Sequence, residues 1–310
     1  MESRPTHLLS SYYAPRGAHR MYALGQQIAQ IYLNPTDKLI GIIGEAGSGK
    51  SALIRGMFPG LELTNDDNGV YIRPLPILEQ DRSFAFFSPH TYHLDIRFEN
   101  GFTQMGDLAD AISEALNKGR RVIVEHFDLI YPILGANANL LIGVGEQVLV
   151  ARPNVFGPEP DEIKDAVYES LPYRLMAHTA EDICGMFIDD EDNERCGHAD
   201  LRHGFCITFP ETAPNINIPE LEKQVNDIIA QDLPVTYVDD HHISIGDSVQ
   251  LCDGPRVHVH RTGQIENFQL LDHFIYDRFK HRYLLVGCVG EKSDELLQKI
   301  DNRRQMPGWE

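Results

Sequence analysis

The segment GEAGSGKS, at residues 44–51, constrains the fold of this chain more than any other part of its sequence. It satisfies the pattern G-x-x-x-x-G-K-[ST], in which glycines let backbone N–H groups curl around a phosphate. A continuous apolar run at residues 38–43 precedes the segment, and a helical pattern at residues 51–57 follows it. Continuous apolar runs are typical of buried parallel strands. The sequence therefore predicts a strand, a P-loop and a helix, which is the start of an α/β domain with a parallel sheet and flanking helices.

The pattern gives each part of the loop a role. The loop backbone and the N-terminus of the following helix would hold the phosphates of ATP or GTP. Lys50 would reach the β- and γ-phosphates, and Ser51 would hold Mg²⁺. A purely structural turn is the alternative. The residues predicted to bind the nucleotide are Gly44, Glu45, Ala46, Gly47, Ser48, Gly49, Lys50 and Ser51.

A second carboxylate is expected near the end of a neighbouring strand. A helix is predicted at residues 107–118, followed by a second buried strand at residues 120–134 that carries Glu125. We therefore assign Lys50 and Glu125 as the catalytic candidates, with a helix-capping role for Glu125 as the alternative. His90 and Asp95 are candidates for lining the side of the site that holds the phosphate acceptor. The alternatives, which are at least as compatible with the sequence, are that His90 is an exposed loop histidine and that Asp95 is a salt-bridged strand carboxylate.

The segment RVIVEHFDLIYPIL resembles the corresponding strand of uridine kinases and related small-molecule kinases. Those proteins run from apolar residues through Val-Glu-Gly into an apolar turn. The resemblance covers about a dozen residues and implies a nucleoside-type kinase activity. It departs at His126, where the kinases have glycine.

Separated pieces of the C-terminal half form a second constellation. His178 and Asp182 are four residues apart in a predicted helix and hence on one face. Cys252 and His258 flank a tight turn. Nitrogen, oxygen and sulfur donors of this kind suit tetrahedral Zn²⁺. The alternative is that His178 and Cys252 are ordinary packed residues of a decayed site.

These pieces resemble the second additional domain, the editing domain, of alanyl- and threonyl-tRNA synthetases and of stand-alone alanyl-tRNA editing proteins. The family runs R-x-x-x-H-T-A-x-H, then Leu-Pro-Val, then C-x-G-x-H and T-G-x-I. This chain has R-x-x-x-H-T-A from residue 174, Leu-Pro-Val from residue 233, and T-G-x-I from residue 262, in the same order. The resemblance spans about residues 145–310. It implies an α+β editing-type domain, a zinc site, and binding or hydrolysis of an aminoacyl-tRNA or aminoacyl-nucleotide.

Two departures affect the implied zinc ligands. The second histidine of the helix motif is Asp182 here, and the interval after Cys252 is longer by two residues. Counting from Cys252 selects Arg256, whereas counting back from the Thr262-Gly263 pair, taken as a strand, selects His258. We prefer His258 because a turn absorbs insertions easily. The predicted ligand set is His178, Asp182, Cys252 and His258.

The expected organisation is an N-terminal helical segment at residues 1–36, a P-loop domain at 37–152 and an editing-like domain at 153–310. Prolines and glycines at residues 153–160 mark the second boundary. The formal charge of −19 argues against an extended nucleic-acid surface and leaves only a local contact, such as a tRNA 3′ end. The lack of a long apolar run and the five scattered cysteines indicate a reduced, cytoplasmic protein without a membrane partner.

Two functions remain open from the sequence. One is an ATP-binding fusion that binds or hydrolyses an aminoacyl-tRNA or aminoacyl-nucleotide. The other is a small-molecule kinase whose editing-like domain recognises substrate or regulates the enzyme. NTP hydrolysis or phosphate transfer is the expected enzymatic chemistry, and a non-catalytic nucleotide switch is a third reading.

Overall fold

The computed structural model describes residues 9–61, 63 and 91–304, and the chain separates into two compact units. Unit 1 comprises Met1–Ala14 and Ala18–Glu169, and unit 2 comprises Pro15–Gly17 and Ser170–Glu310. The described elements of unit 1 are β1 (Leu9–Tyr13), α1 (Ala18–Tyr32), β2 (Leu39–Gly44), α2 (Lys50–Met57), β3 (Thr91–Asp95), α3 (Ile96–Glu99), α4 (Met105–Asn117), β4 (Arg121–Glu125), α5 (Phe127–Leu134), β5 (Leu140–Val144), β6 (Gln147–Ala151) and the first turns of α6 (Pro160–Gly185).

The sheet of unit 1 has the strand order β1-β6-β5-β2-β4-β3. Strands β5, β2, β4 and β3 are parallel. At the edge, β6 pairs antiparallel with β5, and β1 pairs antiparallel with β6. The chain passes from β2 to β3 and β4 on one side and then to β5 on the other. The carboxyl end of β2 therefore lies where the strand order reverses, the place at which open α/β sheets bind ligands.

Every residue of β2 is buried, as its continuous apolar sequence predicts. Gly41 is required in this strand because a Cβ there would lie 2.7 Å from the ring of Phe127. The helix predicted at residues 107–118 is confirmed as α4, which buries Leu108 and Ile112. The prediction of one strand across residues 120–134 is wrong. Strand β4 ends at Glu125, and α5 begins two residues later.

The described elements of unit 2 surround a separate apolar core that includes Phe205, Phe209 and Leu285. They are the remainder of α6, then α7 (Asp190–Arg195), β7 (Gly197–Leu201), β8 (Gly204–Pro210), α8 (Ile218–Ala230), β9 (Val235–Asp239), β10 (His242–Ile245), β11 (Ser248–Leu251), a 3₁₀ helix (Thr262–Gln264), β12 (Gln269–Leu270), β13 (Ile275–Asp277), β14 (Arg282–Cys288) and α9 (Ser293–Arg304).

Unit 2 contains two antiparallel sheets in its described residues. One runs β12-β14-β8-β7 with β13 also paired to β14, and the other runs β11-β10-β9. The α+β arrangement predicted for the C-terminal half is thus confirmed at the level of fold class. The acidic residues 190–194 lie in the short helix α7, whose first turn is capped by the side chain of Asp189. The Thr262-Gly263 pair lies in a 3₁₀ helix rather than a strand.

The division between the units differs from the domain boundaries expected from the sequence. It falls after Glu169, inside α6, because Ile163 and Val167 of this helix pack against Gly143 of β5. Residues 1–36 were expected to form a separate helical segment, but β1 pairs with β6 of the unit 1 sheet. Among the described residues, no helix is both long and apolar enough to cross a membrane.

Candidate functional site

Residues 44–51 form a tight loop between β2 and α2. Gly47 and Gly49 have φ angles of 78° and 97°, in the left-handed region that glycine adopts without a steric penalty. The backbone N–H of Ser48 donates to the carbonyl of Glu45 across the loop at 3.3 Å. Helix α2 begins at Lys50, so its N-terminus is at the end of the loop. This geometry offers oriented backbone dipoles to an anion.

Lys50 links the loop to the neighbouring strand. Its Nζ donates to the carbonyl of Glu45 at 2.9 Å and lies 3.6 Å from Oε2 of Glu125. Both side chains are 6% exposed. The register of β2 and β4 places Glu125 directly beside Ile42, two residues before the end of β2. The parallel pairing therefore brings together the two residues that the sequence predicts as catalytic.

Glu125 is held in its ionised form by its neighbours. Burial acts to raise the pKa of Glu125, but a hydrogen bond with His93 and the charges of His93 and Lys50 outweigh it, and the pKa is lowered. Nε2 of His93 lies 3.1 Å from Oε1 of Glu125. Asp95 occupies the paired position on β3. One potential ligand atom from each of Asp95, Glu125 and His126 lies within 4.8 Å of the others, so this group can hold a cation.

His126 occupies the position at which the uridine-kinase pattern has glycine. Its φ and ψ angles are 56° and 45°, which place it in the left-handed region as the residue preceding α5. Residues other than glycine adopt this conformation at a steric cost. The structure thus gives a physical reason for glycine at this position.

Asp95 is buried, and one of its carboxylate oxygens accepts from the backbone N–H of Phe98. His90, the other candidate for an acceptor side, lies outside the described residues. Glu45 of the loop pairs with Arg97 at 2.7 Å. The hydrogen bond from Arg97 lowers the pKa of Glu45 to about 2, so this loop carboxylate is ionised at neutral pH.

The second cluster lies in unit 2. Nε2 of His258 is 2.8 Å from Oδ2 of Asp182 and 3.5 Å from Sγ of Cys252. The three ligand atoms lie within 4.8 Å of one another. His178 does not join them, because its Nε2 is 3.1 Å from Oδ1 of Asp200 on β7. Three of the four predicted zinc ligands are brought together, and the fourth is hydrogen-bonded elsewhere.

The structure places His258, rather than Arg256, beside Asp182 and Cys252. The guanidinium of Arg256 lies over the ring of Tyr237, with its carbon 4.7 Å from the ring centroid. In the longer turn after Cys252, Arg256 therefore contacts Tyr237 and not the candidate metal ligands. His258 is the position that the family motif selects when residues are counted back from Thr262.

Arg16 belongs to unit 2 and lies among the same ligands. Its Nη1 donates to Oε2 of Glu181 at 2.6 Å, and its Nη2 donates to Asp182 and, at 3.2 Å, to Sγ of Cys252. Its Nε is 3.2 Å from Oδ1 of Asp253. The Arg16 residue is only 2% exposed. Burial favours its neutral form, but the charges of Asp182 and Glu181 keep its pKa well above the ordinary value.

The donor set does not fit a bound zinc ion in this arrangement. Asp182 accepts from Arg16 on one carboxylate oxygen and contacts His258 with the other. Sγ of Cys252 lies 3.2 Å from Nη2 of the same Arg16. The guanidinium thus occupies the coordinating groups that a metal would need.

Glu181 is the second buried carboxylate at this position. Its Oε1 is 2.7 Å from Nδ1 of His198. Hydrogen bonds with Cys196 and Glu181 raise the pKa of His198 to about 10, so the imidazole is protonated at neutral pH. Arg16 and His198 together balance the charges of Glu181 and Asp182.

Several other polar side chains of unit 2 form pairs with neighbouring residues. His242 pairs with Asp239 across the turn between β9 and β10. Arg261 pairs with Asp232, and Arg282 pairs with Asp277. Both arginines therefore form ion pairs with neighbouring carboxylates.

Sequence reasoning missed His93 in the first cluster and Arg16, Glu181 and His198 in the second. His93 lies two residues before Asp95 in β3. Residues two apart in a strand share a face, so a strand prediction there would have placed both side chains together. Glu181 precedes Asp182 in the helix motif. Arg16 has no such signal, because it is 166 positions from Asp182 and belongs to no recognised pattern.

Comparison with known proteins gives one family match. Residues 242–296 match the family model described as the threonyl and alanyl tRNA synthetase second additional domain. The matched segment begins with β10 and includes Cys252 and His258, but not His178 or Asp182. No curated protein matches the chain at a significant level. The match supports a resemblance of the C-terminal half to this editing domain. The likeness of the N-terminal half to uridine kinases stays a prediction.

Proposed function

We propose that unit 1 binds a nucleoside triphosphate with Mg²⁺ and uses it for hydrolysis or phosphoryl transfer. The backbone of residues 44–51 would cradle the phosphates, and Lys50 would contact the β- and γ-phosphates. Ser51 and Glu125 would hold Mg²⁺, which neutralises charge on the transferred phosphate when it is bound. ATP is the nucleotide we take first, with GTP as the competing candidate.

The observation that carries this proposal is the position of Lys50. Its Nζ lies between the loop carbonyl of Glu45 and the ionised carboxylate of Glu125, at the carboxyl edge of adjacent parallel strands. A lysine ammonium is a point charge on a flexible stem, so it can exchange one oxygen partner for another. When nucleotide binds, Nζ of Lys50 would exchange its 3.6 Å contact with Glu125 for phosphate oxygens, and Glu125 would then be free to contact Mg²⁺.

Calorimetric titration of the full chain with MgATP and MgGTP tests this proposal. We expect Lys50→Ala to weaken nucleotide binding at least tenfold, because a hydrogen bond to a charged group contributes about 1.5–3 kcal/mol. Lys118→Ala is the matched control, since Lys118 is a half-exposed lysine of unit 1 paired with Glu114 on α4. Equal affinity in wild type and Lys50→Ala would show that residues 44–51 are a structural turn.

For unit 2, the match at residues 242–296 supports recognition of an aminoacyl-tRNA end or an aminoacyl-nucleotide. Editing domains of this kind discriminate small amino acids by the shape and polarity of the pocket. The charge of −19 restricts contact with tRNA to a local one. Hydrolysis of mischarged tRNA by the full chain is the test, with Cys252→Ala and His258→Ala as the variants that should abolish any such activity.

The competing function is a small-molecule kinase of nucleoside type. The buried carboxylates Asp95 and Glu125 at the ends of β3 and β4 support it, because phosphoryl transfer needs a carboxylate to bind the cation or accept a proton. Unit 2 would then recognise the substrate or regulate the kinase. A screen of nucleosides with MgATP, read as formation of a monophosphate, distinguishes this function from simple hydrolysis.

A further inference from the structure

A buried arginine lies at the centre of the editing-like ligand cluster. We propose that the guanidinium of Arg16 is the resident cation of this cluster, in place of a metal ion, and that Asp182, Cys252 and His258 form a thiophilic metal site only when that guanidinium is withdrawn. The proposal rests on the geometry of unit 2 and is independent of the function proposed for unit 1.

The first support is the saturation of the ligands. An arginine side chain presents five N–H donors in a planar fork. Three nitrogens of Arg16 reach Glu181, Asp182, Cys252 and Asp253. The fork thus contacts two of the three candidate metal ligands directly. A metal ion bound to these oxygen and sulfur atoms would lie close to the positive charge of the guanidinium and be repelled by it.

The second support is charge. Two buried carboxylates, Glu181 and Asp182, lie against the guanidinium of Arg16, and Glu181 also contacts Nδ1 of His198. A divalent ion entering this set would lie beside a fixed positive charge in a region of low dielectric constant. Loss of the Arg16 charge would leave an uncompensated buried carboxylate, which is an unstable arrangement unless another cation takes its place.

The third support is the chemistry of the remaining donors. A carboxylate, a thiol and an imidazole whose ligand atoms lie within 4.8 Å of one another suit Zn²⁺ or Co²⁺. His178 is one helical turn before Asp182, and its Nδ1 has no hydrogen-bond partner among the described residues. It is available as a fourth ligand if its ring leaves Asp200.

Two substitutions of similar length separate charge from packing. Arg16→Met removes the charge but retains an unbranched apolar stem, whereas Arg16→Lys retains a positive charge. Each variant is purified as the full chain in the presence of chelator, then titrated with Co²⁺ and with Zn²⁺. The readouts are thiolate-to-cobalt absorption and metal content per chain after desalting. Arg256→Ala is the control for loss of an arginine beside the same turn.

We expect wild type, Arg16→Lys and Arg256→Ala to retain no stoichiometric metal. Arg16→Met should bind about one equivalent with a cobalt–thiolate band, and Arg16→Met combined with Cys252→Ser should lose the band. If Arg16→Met folds only when zinc is added, that recovery also supports the proposal. The proposal is overturned by stoichiometric zinc on Cys252 in the wild type. It is equally overturned by an Arg16→Met protein that neither binds metal nor gains folded structure from it.

Discussion

The two candidate sites of this protein both place a basic side chain against buried carboxylates, but they do so with different residues. In unit 1, Nζ of Lys50 lies 3.6 Å from Oε2 of Glu125, its one carboxylate neighbour among the described residues. In unit 2, Arg16 is the cation, with Glu181 at 2.6 Å and further contacts to Asp182 and Asp253. The first arrangement leaves an ammonium group that can exchange partners. The second is a closed network.

This difference separates a site that can accept a charged ligand from one that already contains its counterion. The ammonium of Lys50 is a compact charge on a rotatable stem, whereas the fork of Arg16 is fixed by several hydrogen bonds. Removal of Lys50 should therefore affect ligand binding, and removal of Arg16 should affect stability and metal content.

The largest expected effect is the loss of stability in Arg16→Ala. Removing one partner from a buried ion pair costs about 3–5 kcal/mol because it leaves an uncompensated charge. Urea denaturation followed by circular dichroism, in the presence of chelator, measures this change. Arg261→Ala is the control, since its pair with Asp232 is about half exposed and should contribute less than about 1 kcal/mol. Equal losses in the two variants would remove the distinction between a closed network and an ordinary ion pair.

The next effect concerns turnover of nucleotide in unit 1. Glu125→Gln keeps the size of the side chain but removes the charge that we assign to cation binding. We expect nucleotide turnover to fall about 10²-fold, because electrostatic groups in active sites contribute about 2.7 kcal/mol or more. Asp128→Asn is the control, because Asp128 is a buried carboxylate three residues away that pairs with Lys164. A larger loss in Asp128→Asn than in Glu125→Gln would transfer the catalytic role to Asp128.

The smallest expected effect concerns backbone strain at His126, the residue between Glu125 of β4 and the start of α5. His126→Gly and His126→Ala both remove the imidazole, but only glycine adopts φ of 56° without steric cost. We expect the glycine variant to be more stable than the alanine variant by about 1 kcal/mol. Chemical denaturation of the two proteins side by side measures the difference. A more stable alanine variant would show that the left-handed conformation at this position carries no strain.

Much of unit 1 could be predicted from sequence because its signals are local. The apolar run before residue 44 fixes β2, and the glycines fix the loop that follows it. The neighbourhood of Lys50 and Glu125 was also predictable, since carboxyl ends of parallel strands meet at one edge of a sheet. The end of β4 could not be predicted, because residues 127–134 are as apolar as a buried strand. In a short apolar run, periodicity does not distinguish a strand from a helix.

Unit 2 shows the limit of motif reasoning. Helical spacing places His178 and Asp182 on one face, yet the ring of His178 turns to Asp200, which no spacing rule indicates. The proximity of Cys252, His258 and Asp182 followed from the family pattern. The guanidinium among them could not be predicted, because Arg16 is separated from Glu181 by 165 positions and only the tertiary fold brings it there.

We propose that unit 1 acts on a nucleotide, whereas in unit 2 the guanidinium of Arg16 contacts the buried carboxylates and Cys252. The most direct test compares nucleotide turnover and deacylation of mischarged alanyl-tRNA acceptors at equal enzyme concentration, in wild type, Lys50→Ala and Cys252→Ala. We predict that the wild type turns over nucleotide, with or without a nucleoside acceptor, faster than it deacylates tRNA. Nucleotide turnover should be lost in Lys50→Ala and retained in Cys252→Ala. Rapid deacylation that survives Lys50→Ala and disappears in Cys252→Ala, with no nucleotide turnover under any condition, would contradict this account.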